Sequence, residues 1–234
     1  VRIAVRERAI GMVNKKVALS WSGGKDSCMT MDKLVRDGYE IACLLTTVPK
    51  EIGRTFGHGE RAEAIRAQAE ALGIPALFIA CTFDTYTADY EARLKELASE
   101  FGFGAIAFGD LFMPEHRDWG TGVAAAAGIE ALYPLWMRPD GTLAALRTFV
   151  ESGYRAIVIR TSDKALSERW LGRELDESFY EDIAALGPAV CPMGEGGEYH
   201  TFVYDGSLFR RPVRFSKGAV LQLETTKRLE IILA

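Results

Sequence analysis

Two glycines, a lysine, a carboxylate and two serine hydroxyls stand together at Ser22-Gly23-Gly24-Lys25-Asp26-Ser27, directly after an apolar run. These are the groups a nucleotide phosphate needs. Adjacent glycines let a backbone turn sharply and approach a ligand closely. The N–H groups of such a turn, followed by a helix N-terminus, make a concave anion site. Lys25 adds a mobile positive charge, Ser22 and Ser27 add hydroxyl donors, and Asp26 can hold the loop or a magnesium ion. Walker A spacing is excluded, because Leu19 stands where its first glycine belongs and Asp26 follows the lysine. The competing reading, a polar strand-to-helix turn with a chance lysine, is disfavoured by a six-residue match in this position.

A second chemical cluster is Gly194-Glu195-Gly196-Gly197-Glu198-Tyr199-His200-Thr201. Charge is costly to bury, so these carboxylates are either exposed or engaged with a ligand, a metal or an opposite charge. They could bind an amine, orient a nucleophile or hold Mg²⁺; an ordinary hairpin turn is the other reading. His58, in a glycine-bearing stretch, either contacts nucleotide or is a solvent-exposed loop histidine. Trp136 and Arg173 are less specific, with core and surface as their respective defaults.

Other chemistries lack support. The three histidines (His58, His116, His200) form no H-E-x-x-H, and no G-x-S-x-G elbow occurs. Glycine pairs at Gly102/Gly104 and Gly120/Gly122 mimic a dinucleotide fingerprint, but no strand leads into either. Cys28, Cys43, Cys81 and Cys191 include no C-x-x-C, which argues against zinc and dithiol redox sites. Cys28 reads as a small buried apolar residue.

The elements that must position these groups alternate. Strands are expected at 17–21, 41–47, 76–80 and 105–108, with helices at 26–37, 60–72, 84–101 and 115–128. Gly38, Gly73 and Gly102 stop the first three helices. Residues 48–59 read as a long loop of the kind that is more often functional than structural. Strands separated by helices indicate a parallel sheet, whose ligands collect at the carboxyl ends of its strands. The 22–27 turn and Gly109-Asp110 both fall there, so they face one cavity. Beyond Tyr133 the pattern changes: a helix at 142–152, a strand at 156–160, mostly helix over 163–186, then short β runs at 199–204, 213–215, 220–225 and 228–233. This reads as a 1–133 α/β domain followed by a smaller 134–234 α+β domain.

The chain has 234 residues, 48% hydrophobic and 26% charged, which suits one or two packed domains. A net charge of −4 argues against nucleic acid as a general partner. No membrane span is expected, and residues 1–14 are too charged for a signal peptide, so they read as an arm or leader of a cytoplasmic protein.

The S-G-G-K-D-S turn, Phe108-Gly109-Asp110, Tyr133-Pro134-Leu135-Trp136, Leu171-Gly172-Arg173 and the 194–201 cluster together resemble the diphthine–ammonia ligase family of N-type PP-loop ATP pyrophosphatases. Eukaryotic and archaeal members tend to read E-G-G-E-[FY]-E; here His200 takes the last position, as in bacterial members. The resemblance implies a Rossmann-like (adenine nucleotide alpha hydrolase-like) parallel sheet with a smaller C-terminal α+β domain. It implies an amide ligase in which ATP, with Mg²⁺, adenylates a carboxylate, AMP and pyrophosphate are released, and ammonia attacks. On this reading ATP is held by Ser22, Gly23, Gly24, Lys25, Asp26, Ser27, His58, Gly109 and Asp110, with Asp110 also on the metal. Lys25, Asp26, Glu195, Glu198 and His200 are catalytic, while Trp136, Arg173 and Tyr199 touch the acceptor. No glutaminase is expected, so free ammonia or another amine is the nucleophile; a homodimer is compatible. Two alternatives stand beside this: a PP-loop tRNA-modifying enzyme, and a non-catalytic ATP/AMP sensor.

Overall fold

The computed structural model describes residues 15–234. The arm or leader expected at 1–14 lies outside the described residues. Five strands, β1 (Lys16–Ser20), β2 (Glu40–Pro49), β3 (Ala76–Cys81), β4 (Ala105–Ala107) and β5 (Glu130–Leu132), form one sheet in the order β3-β2-β1-β4-β5. Every pairing in it is parallel. Four helices cross between them: α1 (Lys25–Arg36), α2 (Ala62–Leu72), α3 (Tyr86–Phe101) and α4 (Pro114–Ala126).

Alternation along the strands explains the layers. Val17 and Leu19 of β1 pack with Met31 of α1 and Ile65 of α2, whereas Ala18 between them packs with Leu94 of α3 and Val123 of α4. A strand sends successive side chains to opposite faces, so both faces of the sheet must be covered. Gly73 and Gly102 end α2 and α3 in the left-handed conformation, as their positions predict.

A second, antiparallel sheet follows α5 (Thr142–Glu151). It is ordered β7-β6-β9-β8 from β6 (Arg155–Ser162), β7 (Tyr199–Asp205), β8 (Phe215–Gln222) and β9 (Thr226–Leu233). Its core residues Ile157, Val158 and Phe202 join the same apolar cluster as α1 and α2, so the two sheets share a core on that side.

Several element expectations are corrected. Residues 163–186, expected to be mostly helix, are helical over only half their length: α6 (Glu177–Ala185) and one 3₁₀ turn at Glu168–Trp170. Gly172 turns at φ 74°, and the chain after it lies against β6 through one isolated bridge, Glu174 to Ile157, with Gly172 N–H donating to the Val158 carbonyl at 2.8 Å and Leu175 N–H to Ala156 at 2.9 Å. Exposed charge made that segment look helical; the stretch of β6 that β9 leaves unpaired claimed it instead. The runs expected at 213–215 and 220–225 contribute only Phe215 and residues 220–222 to a single irregular strand, β8. β5 has three residues, too few for periodicity to reveal. β2 continues through Pro49, which shortens the expected loop.

Candidate active site

The β1–β4 junction is where strand order reverses: the chain leaves β1 toward β2 and β3, then returns to place β4 on β1's other side. A crevice opens at the carboxyl ends of strands at such a point. A cavity of about 500 Å³ occupies it, lined by Ser22, Lys25, Asp26, Ser27, His58, Asp110, Glu195 and His200 among others.

The phosphate-loop turn is built tightly. Gly23 adopts φ 82°, a conformation an L side chain rarely takes, and Gly24 caps α1 in extended form. The hydroxyls are engaged within the turn, with Ser27 Oγ donating to the Gly24 carbonyl at 3.0 Å and lying 3.3 Å from Ser22 Oγ. Gly109, after β4, sits so near α1 that a Cβ there would be 3.1 Å from the Asp26 carbonyl carbon and 3.2 Å from the Ser27 nitrogen. This close approach carries Asp110 to the mouth of the turn.

The second sheet braces the turn from behind. Val203 N–H donates to the Gly23 carbonyl at 2.9 Å, and Lys25 N–H donates to Thr201 Oγ1 at 2.9 Å. Gln68, fully buried on α2, donates from Nε2 to the carbonyls of Gly23 (2.9 Å) and Val203 (2.6 Å) and accepts from Trp21 Nε1 at 3.1 Å. Gln68 carries the turn's geometry without belonging to a motif, whereas Thr201 closes the 194–201 cluster.

Lys25 is 2% exposed; its ammonium contacts Asp26 at 3.0 Å, donates to the Met193 carbonyl and lies 4.7 Å above the Tyr199 ring. Asp26 keeps its other oxygen buried with no partner among the described residues. Burial raises the Asp26 carboxyl above its usual range even beside Lys25. Glu195 is raised too, first by burial and then by the carboxylates of Asp26 and Asp110; its Oε1 accepts from Leu111 N–H at 2.8 Å. The His58 and His200 rings lie against each other at a 48° tilt, with centres 4.6 Å apart. Burial, then Lys25, pushes His58 down to about 4, and burial, with His58, Arg160 and Lys25 nearby, holds His200 well below the usual range. His58 Nδ1 lies 3.1 Å from the Thr201 carbonyl, which only accepts, so the proton sits on Nδ1.

Asp110, His116 and Glu195 each present a ligand atom within 4.8 Å of the others, and Asp110 Oδ1 is 3.0 Å from His116 Nδ1. His116 is a site residue that sequence reasoning passed over, since only the fold brings it to Asp110.

Family models decide the lineage. The diphthamide synthase N-terminal domain matches residues 15–131 and the diphthamide synthase C-terminal domain matches residues 141–228. The chain belongs to the diphthamide synthase family. Among curated relatives, diphthine–ammonia ligase of Mus musculus is 28% identical over 227 residues, covering 85% of this chain and 82% of its own. The Homo sapiens protein of the same name is 29% identical over 235 residues, covering 88% of this chain and 85% of its own. The crystal structure of the predicted subunit of tRNA methyltransferase from Methanocaldococcus jannaschii aligns with a TM-score of 0.44 at 18% identity, over 80% of this chain and 95% of that one.

In this diphthamide synthase family member the expected residues divide into two groups. Ser22, Lys25, Asp26, Ser27, His58, Gly109, Asp110, Glu195, Tyr199 and His200 line one cavity. Glu198 does not: its Oε1 turns back to accept from Cys191 N–H at 3.0 Å, and Oε2 is buried without a partner among the described residues. Trp136 lies elsewhere, under the Arg117 guanidinium at 4.7 Å. Arg173 pairs with Asp182 at 2.7 Å and stacks over Trp170, also away from the cavity. The donor set of Asp110, Glu195 and His116 suits a divalent cation, because crowded carboxylates are relieved by one. Among the described residues, no helix is long and apolar enough to cross a membrane.

Proposed function

We propose that the chain is an ATP-dependent carboxylate–ammonia ligase of the diphthine–ammonia ligase type. One observation carries this: the Ser22–Ser27 turn, the Asp110 strand end and the Glu195 turn converge on a single cavity at the sheet's switch point. Relatives named as ligases, matched over more than four-fifths of their length, favour it over an RNA-modifying enzyme or a nucleotide sensor.

The triphosphate sits on the unpaired N–H groups of α1's first turn, where the helix dipole favours negative charge. An acceptor carboxylate oxygen attacks the α-phosphorus; the bond to the bridging oxygen of the β-phosphate breaks, and pyrophosphate leaves with its electron pair. Lys25 neutralises charge developing on that leaving group, and its buried, low-dielectric setting strengthens the effect. Ammonia then attacks the acyl carbon, AMP departs, and the nitrogen sheds a proton. A magnesium ion, held by Asp110, Glu195 and His116, would supply charge neutralisation at the phosphate oxygens.

His200 is the proposed proton acceptor. Its neighbours Lys25, Arg160 and His58 disfavour a second positive charge, so the neutral imidazole is ready but weakly basic. A polyphosphate in the cavity reverses that field and raises its basicity when the substrate is present. The test is to incubate the chain with α-labelled ATP, ammonium and pools of carboxylate metabolites or protein. AMP with an acceptor mass gain, abolished in Lys25→Ala, is expected. ADP as product would mean ordinary phosphoryl transfer, and turnover on glutamine alone would overturn free ammonia as nucleophile.

A further inference from the structure

A second cavity, about 570 Å³, shares the wall made by Thr55, Phe56, Gly57 and His200 with the nucleotide cavity. Its distinguishing wall is cationic. The register places Arg160 of β6 directly opposite His200 on β7 and opposite Arg228 on β9, so all three sit in one row across the sheet. Like charges facing one another across strands repel. Arg228 is only 8% exposed, which makes the repulsion harder to screen.

The balance of nearby charge does not close. Glu230 is asked to compensate three guanidiniums, accepting from Arg228 at 3.0 Å, Arg54 at 2.8 Å and Arg61 at 3.0 Å. Glu60, the other acid beside them, is pushed up to about 7 by burial and so supplies only part of a charge. Arg160 has no carboxylate within ion-pair distance among the described residues; it donates to the Gly57 carbonyl at 2.5 Å and to Thr226 Oγ1 at 3.1 Å, both neutral. A half-buried arginine held by neutral acceptors beside a second arginine is expensive unless something anionic arrives.

The lining separates this charge from the phosphate turn. Arg160 and Arg228 line the second cavity and not the first, whereas Lys25 and Ser27 line the first and not the second. Ile52, Phe56 and Phe83, each about half exposed, also line the second cavity and suit a carbon skeleton better than a bare inorganic ion.

We propose that Arg160 and Arg228 bind a second anionic group of the acceptor, a carboxylate or a phosphate. The acceptor then carries at least two anionic groups: one enters the nucleotide cavity for activation, and the other anchors in the arginine row. A cationic acceptor is repelled there. The word acceptor rests on the ligase reading, but anion binding at the row does not.

Calorimetry on the full chain with two probes, glutarate and 3-phosphoglycerate, tests this alongside ATP. At least one probe binds the wild type, more weakly as salt is raised, and at least tenfold more weakly to Arg160→Gln; the tighter probe identifies the anion. ATP affinity stays within twofold in that variant. Thr226→Glu sets an internal carboxylate against the same guanidinium, so it abolishes probe binding and raises the melting temperature of the probe-free protein. Equal probe binding by wild type and Arg160→Gln, no probe binding at all, or displacement of the probes by ATP overturns the proposal. So does a Thr226→Glu variant that melts lower yet still binds. A wild type that binds a probe in the arginine row but not ATP would instead count against the ligase reading alone.

Discussion

Replacing Gln68 with methionine keeps the length and nearly the volume of the side chain while deleting all three of its hydrogen bonds. Gln68 is fully buried, so no water takes its place. The Gly23 carbonyl keeps the Val203 N–H, but Trp21 Nε1–H and the Val203 carbonyl lose the partners Gln68 gave them. Each buried group left unmet costs about 1–3 kcal/mol. Two such groups put the loss near ~3 kcal/mol, a large share of a stability of about 5–15 kcal/mol. For a chain of this size that corresponds to a melting temperature lower by roughly 6–12 °C. Because the same contacts brace the phosphate turn, nucleotide affinity should fall beyond what stability alone explains. Urea denaturation with and without ATP measures both. A Gln68→Met protein within about 1 kcal/mol of wild type, binding ATP equally well, would refute the idea that this side chain holds the turn in shape.

Three further outcomes are expected. Gly109→Ala drives a methyl against backbone atoms of Asp26 and Ser27, costing about 1–3 kcal/mol and weakening ATP binding in equilibrium dialysis; undiminished affinity would mean the turn tolerates a displaced α1. His58 has a folded pKa of about 4 against 6.5 unfolded, so the unfolded chain takes up the proton first. The stability it confers is complete above pH 6.5 and disappears as pH falls toward 4, so His58→Gln should lose less stability over that interval, by up to about 3 kcal/mol in paired urea titrations. Glu195→Gln removes a carboxylate from the Asp110–His116 group and should weaken Mn²⁺ binding followed by electron paramagnetic resonance; unchanged binding would place the ion elsewhere.

Where the sequence carried a local physical signal, the fold followed it. The 22–27 turn declared a strand before it and a helix after it, and Gly73 and Gly102 marked helix ends because few other residues accept the left-handed conformation. The parallel order followed from strand–helix alternation, which is why the sequence already sets Asp110 beside the turn. Contributions that depend on distant pairing were invisible. Arg160 and Arg228 are 68 positions apart, and only the β6–β9 register turns them into neighbours. His116 gains meaning only because α4 begins just after Gly109-Asp110. Glu198 and Glu195 read as equals in one motif, yet the turn points one into the cavity and folds the other under itself. Residues 163–186 misled because helix-forming composition cannot report the unpaired stretch of β6 that competes for them.

β7 lends its outer edge to the glycine turn, through Val203 and Thr201, and this ties the molecule's two halves into one instrument. A protein split near residue 135 would leave the first fragment with its glycines and lysine but without the strand that props them. Neither fragment alone would then grasp ATP, and mixing them would restore it. A displacement of the C-terminal sheet would reach the glycine turn directly, through the Val203 and Thr201 hydrogen bonds.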